Sequence, residues 1–134
     1  MIYVIEEDNN VRNSLEVLIS SYDLACKSYL RGEDFMKEYL RGSDDLMILN
    51  MRADHYDARE FLMVLKEAGI TLPIIGLTSH DEPEIRTFCQ IYGVKSLLNK
   101  PVDSNALIDL IKYHSKVEIY KLHLTNMNRN IHNI

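Results

Sequence analysis

The chain has 134 residues, of which 46% are apolar and 26% charged, a balance that excludes a disordered chain and leaves room for one compact domain. Its 15 Lys+Arg against 20 Asp+Glu give a formal net charge of −5. That argues against general nucleic-acid binding, which needs clustered cations. No apolar run approaches the roughly 20 residues of a membrane span, and the start MIYVIEEDNN reaches two carboxylates too soon for a secretory signal. Cys26 and Cys89 lack CxxC spacing and are expected to be buried thiols in a reducing cytoplasm.

Short apolar runs alternate with helical patterns along the chain. IYVI (2–5) is the first run. Val11, Leu15, Leu18 and Ile19 then share one helix face. DLACKSYL (23–30) follows as the second strand, with Phe35, Met36, Tyr39 and Leu40 as the next helical stripe. LMILN (46–50) precedes the stripe of Phe61, Leu62 and Leu65. LPIIGLT (72–78) precedes Ile85, Phe88, Cys89 and Tyr92, and SLLNK (96–100) precedes Leu107, Leu110 and Ile111. Gly69 and Gly93 suit helix ends, Asp81 with Pro83 suits a helix start, and Asp103 or Ser104 suits an N-cap. Nearly continuous apolar strands joined by helices predict a (βα)5 unit around a parallel sheet with helices on both faces.

In such a fold ligands meet the carboxyl ends of the strands. The residues there are Glu6 and Glu7, Asn50, Thr78 and Ser79, and Lys100. Two carboxylates and a lysine are the parts of a divalent-cation and phosphoryl site, and a threonine hydroxyl adds a hydrogen bond. A nucleophilic carboxylate is missing, because the central strand ends in the neutral carboxamide of Asn50.

With these motifs in place, the sequence resembles the receiver domain of two-component response regulators over residues 1–112. The resemblance is carried by VIEEDNNVRNSL, DLMILNMR, LPIIGLTSH and LLNKPVD, in order and at the family's spacing. It implies a flavodoxin-like three-layer sandwich with strand order 2-1-3-4-5, and a cis peptide between Lys100 and Pro101. It places Glu6 and Glu7 at the metal-binding acids, Asn50 at the phosphoacceptor, Thr78 at the switch hydroxyl, Lys100 at the invariant lysine and Leu97 at the aromatic switch position. It further implies a partner surface including Arg86, Gln90, Tyr92, Lys95 and Leu97.

The departures point to a pseudo-receiver. The acceptor aspartate is Asn50, and the acidic pair is Glu-Glu, with longer side chains than the usual pair. Asp54 and Ala58 stand at the loop positions that usually carry proline and glycine, and Leu97 has no hydroxyl to meet Thr78. The implied function is signalling through phosphorylation-independent protein contact rather than catalysis. No cofactor is required, and Mg2+ at Glu6 and Glu7 would be held weakly if at all. Two alternatives stay open: phosphorylation at Asp54 or Asp57, or the receiver half of a transcription regulator whose DNA-binding domain lies outside this chain. His55 and His80 read as surface residues. A flavodoxin-type phosphate loop is excluded by EEDNN, its electrostatic opposite.

Residues 113–134 form a C-terminal extension or linker. Three Lys/Arg and one Glu give it +2, against −7 for the rest. A helix running on to about residue 124, followed by a frayed Asn-rich end, is expected, with homodimerisation or partner contact as its use. The chain is expected to be cytoplasmic, bound to neither nucleic acid nor membrane.

Overall fold

The computed structural model describes residues 1–53, 56–79, 83–115, 124 and 127. Five parallel strands form one sheet: β1 (Ile2–Ile5), β2 (Cys26–Tyr29), β3 (Leu46–Asn50), β6 (Ile74–Thr78) and β7 (Val94–Asn99), in the order β2-β1-β3-β6-β7. A two-residue antiparallel hairpin, β4 (Arg52–Ala53) with β5 (Tyr56–Asp57), stands between β3 and the next helix. The helices are α1 (Asn9–Ser21), α2 (Gly32–Glu38), α3 (Ala58–Glu67), α4 (Pro83–Ile91) and α5, over 104–115. Counting only the parallel strands, this is the expected order 2-1-3-4-5.

The three central strands are buried throughout, so both of their faces carry apolar side chains. Alternate residues divide between two cores. Tyr3, Ile5, Met47 and Leu49 pack with Phe35, Phe61, Leu62, Leu65 and Cys89 of α2, α3 and α4. Ile2, Val4, Leu46 and Ile48 pack with Leu15, Ile19, Leu107, Ile108 and Ile111 of α1 and α5. Helices therefore cover both faces, as a parallel sheet requires.

The helix limits follow local chemistry. Asp8 caps α1 by accepting from the Asn10 and Val11 amides, and Asp103 caps α5 by accepting from the Ala106 amide at 3.0 Å. Gly69 and Gly93 sit just past helix ends at φ 69° and 77°, a region that favours glycine. The Lys100-Pro101 peptide is cis.

Some limits differ from the sequence expectation. β2 is confined to Cys26–Tyr29, the four residues that register against Ile2–Ile5 of β1. β6 begins at Ile74 and β7 covers Val94–Asn99, with a register shift at Ile74/Ile75. α2 ends at Glu38, so Leu40 leaves the expected helical stripe and is 83% exposed. At the other end of the chain α5 continues through residue 112, and His114 is buried with Nε2 3.1 Å from Ser96 Oγ. The helix expected toward residue 124 falls largely outside the described residues.

Candidate functional site

Strand order reverses direction between β1 and β3, and the crevice at that switch point opens at the carboxyl ends of the two strands. Glu6 follows β1 directly and Asn50 is the last residue of β3. Lys100 follows β7, and its amide donates to the Thr78 carbonyl at 2.8 Å, tying the end of β7 to the end of β6. Chain connectivity alone therefore delivers these four residues to one end of the sheet.

The side chains complete the cluster. Lys100 Nζ donates to Glu6 Oε1 and to Asn50 Oδ1, at 3.0 Å each. Glu6 is 2% exposed, so its carboxylate lies inside the sheet end rather than in solvent. Its charge is balanced by an ammonium that is itself 22% exposed. Asn50 and Thr78 are buried, and Glu7 is half-buried. Among the described residues, Glu6 Oε2 and Glu7 Oε2 are buried without a hydrogen-bond partner. Buried polar atoms are nearly always satisfied, so these two mark where the pocket can receive a donor or a cation.

The turn carrying the acids is held from three sides. The Glu6 amide donates to the Tyr29 carbonyl at 3.0 Å, Asp8 caps α1, and Arg12 Nη1 donates to the Glu6 carbonyl at 2.8 Å. Arg12 Nη2 also donates to Asn9 Oδ1. Sequence reasoning missed Arg12. A basic residue in the first turn of α1, just past two acids, was the available signal.

Leu97 lies on the other side of the sheet end. A Cβ placed on Gly76 would lie 3.0 Å from both Leu97 Cδ1 and Met51 Cγ, so the glycine leaves room for both side chains beside β6. Arg86, Gln90 and Lys95 are exposed on α4 and β7. Tyr92 is half-buried, stacked on Phe88 at 4.3 Å between centroids, with Lys66 Nζ over its ring. Cys26 and Cys89 are free thiols, and burial raises both above the ordinary range. Asp54, His55, Asp81 and His80 lie outside the described residues; for Asp57 the backbone is placed in β5. Among the described residues no helix is long and apolar enough to cross a membrane.

Comparison with known proteins agrees with this geometry. The family model for the response regulator receiver domain matches residues 2–112. The chain is 25% identical over 111 residues to the DNA-binding transcriptional regulator NtrC of Proteus hauseri, covering 83% of this chain and 24% of that protein. It is 24% identical over 110 residues to the transcriptional regulatory protein TdiR of Thauera aromatica, covering 82% of this chain and 48% of that one. The chain thus spans about half or less of these relatives. Among solved structures, the response regulator StyR superposes with a TM-score of 0.83 at 19% identity, covering 98% of this chain and 67% of that one.

Proposed function

We propose, since the chain belongs to the response regulator receiver domain family, that it is a degenerate receiver signalling by protein contact without aspartyl phosphorylation. The observation that carries this reading is Asn50, a carboxamide at the end of β3, hydrogen-bonded to Lys100. In the family's arrangement a carboxylate at this place accepts the phosphoryl group. An amide oxygen carries no net charge, and the nitrogen lone pair is delocalised into the carbonyl, so Asn50 forms no acyl phosphate.

Lys100 then serves as a structural cation. With Glu6 and Asn50 it closes the pocket and fixes the β7–α5 connection in one arrangement. Thr78 stands at the switch-hydroxyl position, and Leu97 replaces the aromatic switch. The two orphaned oxygens on Glu6 and Glu7 fit a hard cation such as Mg2+. These two residues would hold it weakly, because Asn50 contributes no charge. When bound, the ion supplies positive charge to the pocket, and no step of the proposed action requires it.

The recognition surface is the α4–β7–α5 face, with Arg86, Gln90 and Lys95 exposed and Tyr92 and Leu97 at its base. Its partner is a kinase, an effector or a second copy of the chain, in the cytoplasm. The fractional coverage of NtrC and TdiR supports a second reading, in which this domain is the receiver part of a longer regulator.

The test is intact-mass spectrometry after incubation with acetyl phosphate and Mg2+, for wild type beside Asn50→Asp. The expected result is no phosphoryl mass on wild type and a gain on Asn50→Asp. A stably labelled wild type would sink the proposal and direct attention to Asp54 or Asp57.

A further inference from the structure

We infer that Arg12 is a positioning residue for the acidic pair, setting the β1–α1 turn so that Glu6 and Glu7 can take a divalent cation. The inference rests on the reading of these two residues as a residual cation site.

Three features of the turn lead to it. The Glu6 amide is fixed to β2 through the Tyr29 carbonyl, and Asp8 is occupied with capping α1. The Glu6 carbonyl would otherwise be free to rotate with the Glu6–Glu7 peptide. Arg12 removes that freedom, because its planar fork reaches the Glu6 carbonyl with one nitrogen and Asn9 Oδ1 with the other. The peptide so fixed joins Glu6 to Glu7, the two residues whose side chains end in the orphaned Oε2 atoms. Arg12 touches neither orphaned oxygen, so it acts on the ligand through the backbone. Groups that orient metal ligands commonly matter nearly as much as the ligands themselves.

Lysine separates geometry from charge at this position. Arg12→Lys keeps the positive charge near the acids but offers one ammonium in place of a fork. Arg12→Gln removes the charge as well. If Arg12 served as a built-in competing cation, Arg12→Gln would bind Mn2+ more tightly than wild type, while Arg12→Lys would change little.

The experiment titrates the full chain with Mn2+ and follows paramagnetic broadening of the Glu6 and Glu7 amide signals. Wild type should broaden saturably, and both Arg12 variants should bind about tenfold more weakly or worse. Asn9→Ala, which releases the far end of the fork, should fall between them and wild type. It also keeps the test open if an Arg12 variant fails to fold. Melting temperatures are recorded in parallel, because a purely structural role would lower them and leave the affinity of the folded molecules unchanged. Unaltered or tighter Mn2+ binding in the Arg12 variants would overturn the inference. So would a wild type that takes up no Mn2+, a result that leaves the phosphorylation-independent reading and its mass test intact.

Discussion

Lys100 and Glu6 form an ion pair at 3.0 Å, with the carboxylate 2% exposed, between the end of β7 and the end of β1. Removing one member of a buried pair strands the other charge, which costs more than the pair contributes. Lys100→Met should therefore destabilise the domain by about 3 kcal/mol. In urea unfolding, Glu6→Gln added to Lys100→Met should recover part of that loss. Strictly additive losses would show that the two charges do not depend on each other.

Gly32 and Gly93 should fail for different reasons when replaced by alanine. A Cβ at Gly32 would lie 2.4 Å from Phe61 Cδ1, inside the α2–α3 contact. Gly32→Ala should cost about 1–3 kcal/mol through overpacking, and Phe61→Leu in the same chain should relieve part of it. Gly93 has no heavy atom within 4 Å of its would-be Cβ but sits at φ 77°. Gly93→Ala should cost about 1 kcal/mol from backbone strain alone, and Gly93→Asn less. Denaturation midpoints for the four variants check both statements.

Alkaline pH should weaken the fold through two phenols. Burial, followed by the hydrogen bond to Asp45 and its charge, pushes Tyr39 up to about 12. Burial and the hydrogen bond to Glu38 push Tyr29 up to about 12 as well. Both folded values exceed the unfolded 10.0, so folding favours the neutral form. Their stability contribution is fully present below about pH 10 and is lost as pH rises through about 12. Stability measured across that window should fall less steeply for Tyr39→Phe than for wild type. An unchanged slope would mean that Tyr39 ionises freely in the folded state.

The space that Leu97 and Met51 share beside Gly76 gives a fourth expectation. Gly76→Ala places a methyl 3.0 Å from both side chains, so both must give way. Methyl NMR signals of Met51 and Leu97 should shift together while those of the α1–α5 core stay in place. A change confined to either residue alone would show that they are not packed as a unit.

The strongest sequence signals were those fixed by burial on two faces. β1 and β3 have the limits expected of them because every residue in both is buried. β2 and α2 were overextended, since apolar letters such as Leu24 and Leu40 sit beside these elements without joining their hydrogen-bond pattern. The pairing of Lys100 with Asn50 and an acid could be anticipated from strand order. Glu6 is the acid that pairs, a choice between two adjacent glutamates that the sequence pattern leaves open. The β4–β5 hairpin carried no turn signal of the Asn-Gly kind, and the Arg12 fork depends on a backbone carbonyl, which no side-chain pattern reveals.

The ion pair joins positions 94 residues apart, and its partners flank the first and the last strands of the sheet. Contacts with such long loops form after local ones, because the closure entropy must be met before they contribute. Lys100 and Glu6 should meet late, after the strands between them have assembled. Their loss would then leave the folding rate nearly unchanged and shorten the lifetime of the folded domain instead.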